Sequence, residues 1–93
     1  MSALLKQSVD MRVEGDLVVI TFTGASSNVE RIEVRLGTAN EATVWWKHRG
    51  GHVNVWRYEF RLRTMSVWES TQSLGKFAWA IKRAASTEVL VEV

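Results

Sequence analysis

The residues best equipped for chemistry gather around one turn. The stretch Val44-Trp45-Trp46-Lys47-His48-Arg49-Gly50-Gly51-His52-Val53-Asn54-Val55-Trp56-Arg57 sets two histidines beside a glycine pair and threads indoles among cations. Two imidazoles could begin a metal centre, but zinc takes three or four protein ligands. The chain has no cysteine, and Glu41 and Glu59, the nearest carboxylates in sequence, do not converge on the turn. His48 and His52 therefore read as surface residues, and neither a metal nor a cofactor is expected. Ser26 and Ser27 sit in a loop without a histidine nearby in sequence. Glu30 with Glu33, and Glu88 with Glu92, read as solvated strand positions. No phosphate-cradling glycine loop and no dinucleotide fingerprint occurs. A protein that is not an enzyme is the expectation.

Indoles and guanidinium groups suit binding better than bond-making. Tryptophan and arginine are enriched among the residues that dominate protein interfaces. The same pair serves single-stranded nucleic acid, where bases stack on indoles and cations hold phosphates. Residues 42–83 carry eight cations against two carboxylates, so positive charge is concentrated where the aromatic residues are. That asymmetry favours an acidic partner.

The elements that position these groups follow from apolar periodicity. Over 9–13, Val9, Met11 and Val13 alternate with Asp10 and Arg12, and Gly15-Asp16 suits a two-residue hairpin turn into a second strand, 17–23. With that turn Val13 faces Val18, Met11 faces Ile20 and Val9 faces Phe22, all on one side. A third strand, 29–36, turns Ile32, Val34 and Leu36 inward. A fourth is read at 42–49 and a fifth at 52–63, where Trp56, Tyr58, Phe60 and Leu62 alternate with Arg57, Glu59, Arg61 and Arg63. The period then becomes helical. Ser66 and Glu69 form a capping box, and Val67, Leu74, Phe77, Ala78, Ile81 and Ala85 make one stripe of a long helix, 67–85. A last strand is read at 88–93. The fold class is thus α+β in two layers: an antiparallel β-meander of about five strands, one long α-helix that covers its apolar face, and a C-terminal strand. A chain of 93 residues suits one domain, and with 46% hydrophobic and 24% charged residues it falls in the globular rather than the disordered range.

Side chains of neighbouring strand residues point to opposite faces, so Trp45 and Trp46 must diverge. A two-residue loop at Gly50-Gly51 pairs Trp46 with Val55 and Trp45 with Trp56, and sends Trp46 away from the helix. A three-residue loop that pairs Trp46 with Trp56 sends Trp45 out instead. In the first register an outer face forms from Trp46, Val53 and Val55, ringed by Arg49, Arg57, Arg61 and Arg63. Trp68 and Trp79 lie eleven residues apart on the helix, with Gly75 between them. They either seal the core edge, with Gly75 admitting a close loop, or form a second shallow groove.

Three uses of the outer face follow: recognition of an acidic protein surface, self-association as a homodimer, or binding of single-stranded DNA or RNA. The meander-then-helix order resembles, at the level of fold, the single-strand binders of the PUR and Whirly type, although no motif of either is present. The first residues hold an apolar run of only Ala3 to Leu5, too short for a signal-peptide core, and no stretch approaches a membrane span. A cytoplasmic protein without membrane association is the expectation.

Overall fold

The computed structural model describes residues 7–24, 26–37, 40–60 and 73–91. Six strands, β1 (Gln7–Glu14), β2 (Leu17–Gly24), β3 (Val29–Leu36), β4 (Asn40–Lys47), β5 (Val53–Phe60) and β6 (Thr87–Val91), form one open sheet. Every neighbour is antiparallel, and the spatial order is the chain order. The helix α1 (Leu74–Ala84) enters between β5 and β6 and lies on one face of the sheet over β2, β3 and β5. The two-layer α+β architecture is the expected one.

The first hairpin keeps its expected register. Val13 faces Val18, Met11 faces Ile20 and Val9 faces Phe22, and Gly15, at φ 64°, supplies the left-handed residue of the turn. Between β3 and β4 the register shifts, so that Val29 pairs with Trp46 and Arg31 with Trp45. Glu30 is the extra residue of a β-bulge, which turns Val29 into the core.

That core is a single apolar cluster. Ile20 and Phe22 of β2, Ile32 and Val34 of β3, Ala42 and Val44 of β4, and Tyr58 and Phe60 of β5 meet Leu74, Phe77, Ala78 and Ile81 of α1. Phe77 sets its ring edge-on to Phe22, with centroids 4.8 Å apart. Burying each large side chain contributes about 1.5–3 kcal/mol. Ser73 caps α1 by accepting a hydrogen bond from the Lys76 amide at 3.2 Å, and Lys82 and Arg83 face the negative pole of the helix dipole.

Two expectations change. Ser73 is extended, at φ −150° and ψ 156°, so a continuous helix over 67–85 is excluded: the apolar stripe of α1 begins at Leu74 behind its own cap. The capping box of Ser66 and Glu69, with Val67, lies outside the described residues, as does Leu62. The last strand, expected at 88–93, is described over Thr87–Val91 at the free side of β5, and residues 92 and 93 lie outside the described residues. The second change concerns β1. Its Val9, Met11 and Val13 share the helix-side face with Ile20 and Phe22, yet they are 61%, 65% and 67% exposed, because α1 packs on strands further in.

Replacement of Phe77 by alanine is expected to cost about 3–5 kcal/mol, read as a lower urea midpoint by tryptophan fluorescence. Val13→Ala, on the same sheet face but beyond the helix, should leave that midpoint within about 0.5 kcal/mol of the parent.

Candidate functional site

The β4–β5 hairpin decides where the indoles go. Its loop is the single helical turn Arg49–Gly51, three residues long. The His48 amide donates to the His52 carbonyl at 2.8 Å, and the Gly51 amide returns to the His48 carbonyl at 3.1 Å. Gly50 and Gly51 stand at φ 86° and 87°, a left-handed pair that side chains with a Cβ resist. This loop sets Val44 against Trp56, Trp45 against Val55 and Trp46 against Asn54. Neither register read from the sequence is the observed one. The adjacent indoles do diverge, but Trp45 goes outward and Trp46 turns to the helix side, where it packs on the core with Trp56.

On the helix side Trp46, Trp56 and Trp79 wall a cleft of about 230 Å³, completed by His48, Asn54, Tyr58 and Lys82. Each wall is held in place. The Trp46 indole N–H donates to the Tyr58 hydroxyl at 2.9 Å, and its ring meets Trp79 edge-on, with centroids 5.5 Å apart. Trp79 stays 46% exposed. The Lys82 ammonium lies 6.0 Å from the Trp79 ring centroid and 3.3 Å from the Glu88 carboxylate. At the other end Asn54 Nδ2 stands 3.0 Å from His48 Nε2; with the amide donating, that nitrogen is the unprotonated one. Burial raises the Tyr58 hydroxyl above the ordinary phenol pKa. Its hydrogen bond from Trp46 and the charge of Lys82 act in the opposite direction, and Glu88 adds to the rise.

The outer face carries Trp45, Val53 and Val55 on β4 and β5, joined by Val89 and Val91 of β6. No helix among the described residues covers it, yet Val55 is only 3% exposed. It lies in a cross-strand row between Trp45 and Val91. Val19, flanked by Arg12 and Arg35, is buried on the same face, where long aliphatic stems can shelter an apolar neighbour. The Arg31 guanidinium sits 4.0 Å from the Trp45 ring centroid, a cation–π contact.

The arginines of this face are largely spoken for. Arg57 Nε lies 3.3 Å from the Glu41 carboxylate and 3.4 Å from that of Glu59, within ion-pair distance but without hydrogen-bond alignment. On β1–β5 the outward positions hold five cations, Arg12, Arg31, Arg35, Lys47 and Arg57. Among them stand five carboxylates, Asp10, Glu14, Glu33, Glu41 and Glu59. The described part of the face is therefore charge-balanced.

The residues singled out from the sequence thus divide between two surfaces. Val53, Val55 and Arg57 are on the outer face, Arg49 is exposed on the turn, and Trp46 is in the cleft on the opposite side. Arg61, Arg63 and Trp68 lie outside the described residues. Gly75 and Trp79 do different work. A Cβ at Gly75 would come within 3.0 Å of Asn28 Oδ1, so this glycine admits the β2–β3 loop, while Trp79 lines the cleft. The sequence pattern does not single out His48, Asn54, Trp56, Tyr58 and Lys82 as site residues. Their signal is parity: Asn54, Trp56 and Tyr58 alternate on β5, and Lys82 follows Trp79 by three helical positions. Among the described residues no group of three or more potential metal ligands converges, and no helix is long and apolar enough to cross a membrane.

Tyr58→Phe leaves the Trp46 indole N–H without its acceptor and is expected to lower stability by about 1–3 kcal/mol, with the loss and an upfield move of the Trp46 indole proton read by denaturation and NMR. Tyr58 is the chain's only tyrosine, so its ionisation can be followed by ultraviolet absorbance. The unfolded chain gives up this proton at the ordinary phenol value while the fold still holds it. Above that value the native state therefore binds more protons, and stability falls as pH rises towards the raised pKa, being complete below the ordinary value. Comparison with known proteins finds no family that matches this chain, no curated protein and no solved structure similar to it.

Proposed function

We propose that this protein is a non-enzymatic binding module that receives one planar aromatic side chain of a partner protein in the cleft between α1 and the β4–β5 hairpin. The observation that carries the reading is a solvent-open cleft of about 230 Å³ walled by three indoles. Pockets for whole small-molecule ligands run from about 300 to 1,000 Å³, so this one suits a single ring. An aromatic pair contributes about 0.5–1.5 kcal/mol beyond the area it buries. Trp46 and Trp79 already lean on each other and need little reordering to receive a guest. His48, Asn54 and Lys82 at the margin offer polar partners to a hydroxyl or backbone group. An aromatic anchor in a dry pocket with a polar rim is the usual anatomy of an interface hot spot.

Nucleic acid is the weaker reading. The cations described on the outer face are matched by carboxylates, and Trp45 and Trp46 lie on opposite faces, so among the described residues no aromatic row runs beside a row of unmatched cations. A cytoplasmic setting is part of the same proposal.

The test is an NMR titration of the tryptophan indole N–H signals, with p-cresol and N-acetyltryptophanamide as side-chain probes and adenosine monophosphate and an oligothymidylate as nucleic-acid probes. Side-chain probes should move the signals of Trp46, Trp56 and Trp79, leave Trp45 in place, and lose about tenfold in affinity in Trp56→Ala. Shifts with the nucleotide probes alone would transfer the site to nucleic acid. No shift at the solubility limit of every probe would end the reading.

A further inference from the structure

We infer that the free edge of β1 is a self-association surface, on which a second copy of this chain adds its own β1 antiparallel about a two-fold axis at Met11. The surface is separate from the indole cleft, which opens beside β4, β5 and α1.

Among the described residues β1 is the first strand of the sheet and pairs along one side only, with β2. Its other side presents a row of backbone donors and acceptors, the usual template for an added strand. It also presents the most exposed large apolar residues described in the chain, Val9, Met11 and Val13. Self-pairing that keeps both helices on one side of a continuous sheet must place like parities opposite each other, so the possible registers differ by two residues.

The charges choose among them. Centred on Asp10, the pairing sets Asp10 against its own copy. Centred on Arg12, it sets Arg12 against Arg12 and Asp10 against Glu14. Like charges directly opposite destabilise a sheet. Centred on Met11, the same strand sets Asp10 against Arg12 twice, Val9 against Val13 twice, and Met11 against itself. The short Ser8 faces Glu14. That register engages residues 8–14 of both copies, nearly the whole of the strand Gln7–Glu14. Arg12 now holds only an exposed contact to Glu14 at 2.7 Å, and its guanidinium has donors left for a second carboxylate.

The opposite edge of the sheet offers no such match. β6 has five residues, and self-pairing about Val89 would set Glu88 against Leu90. Glu88 is already held by Lys82. The β1 pairing makes one sheet with a helix on each half. It joins the two apolar rows of Val9, Met11 and Val13 into a strip between the helices.

The test is sedimentation equilibrium of the full chain over a wide concentration range, with circular dichroism to verify folding of each variant. A monomer–dimer equilibrium is expected. Asp10→Arg, at an outward strand position, should raise the dimer dissociation constant about tenfold or more, since two opposite-charge pairs become like-charge pairs. Arg12→Asp should do the same, and the double swap should recover most of the loss. Met11→Lys, at a position open to solvent in the single copy, should give a folded monomer. A chain that stays monomeric at every concentration overturns the inference. So does a dimer indifferent to these charge reversals, or one that dissolves on Trp45→Arg instead, which would place the contact on the outer face.

Discussion

Among the described residues one helix, about 10–12 Å across with its side chains, lies against a sheet of six strands spaced about 4.8 Å apart. It cannot reach both edges. α1 spends its apolar stripe on the middle of the sheet, where Leu74, Phe77, Ala78 and Ile81 are almost wholly buried. What lies beyond its reach is settled by that choice. On one side the β1 row stays open to solvent, although it repeats the apolar pattern of β2. On the other, the far ends of β4 and β5 project past the core, and the bulky residues there close the gap only partly. The apolar edge and the indole cleft are two consequences of the same shortage of cover.

Tyr58 joins the core to the cleft. Its ring belongs to the apolar cluster, and its hydroxyl is the acceptor that holds Trp46. A phenylalanine would fill the same volume and leave an indole donor unsatisfied at the core margin, so the tyrosine at this place serves orientation as well as burial. Trp46 in turn props Trp79, the residue of α1 that stands off the apolar stripe. Wall rigidity bears on recognition, because a guest entering a cleft whose walls are already held loses less free energy to ordering them.

The strand pattern was legible wherever alternation was strict. Val9, Met11 and Val13 of β1, Ile32, Val34 and Leu36 of β3, and Trp56, Tyr58 and Phe60 of β5 keep an apolar period of two, and the hairpin between β1 and β2 follows from a two-residue turn with one glycine. Legibility failed at the β4–β5 hairpin for a definite reason. Trp45 and Trp46 are equally apolar, so β4 has no periodic signal at the place where the register is decided. The glycine pair allows a two-residue loop, or a three-residue loop that pairs Trp46 with Trp56; the observed three-residue turn takes in Arg49 and pairs Trp46 with Asn54 instead. The helix was overextended because an apolar stripe does not reveal an interruption: Ser73 could equally be a polar helix residue or a cap, and only its extended backbone separates the two. The exposure of β1 is illegible in the sequence for a different reason. Periodicity tells which face a side chain takes, and it is silent on how wide the covering layer is.

Two local devices then act together to set the indoles. The left-handed glycines fix β5 against β4, and the bulge at Glu30 fixes β3 against β4. Without the bulge, strict alternation would turn Val29 outward with Arg31 and put the Glu30 carboxylate opposite Trp46, inside the apolar layer. A buried, unpaired carboxylate costs several kcal/mol, more than the local ladder irregularity that avoids it. With the bulge, Val29 supplies an apolar floor beside Trp46, and the Asn28 carbonyl accepts from the Lys47 amide at 2.9 Å to resume the pairing. The Lys47 side chain then reaches the Ser26 carbonyl and Asn28 approaches Gly75, so the β2–β3 loop is tied at once to the hairpin and to the helix. The position of Trp46 therefore rests on backbone features on both neighbouring strands, and the cleft is built into the sheet itself.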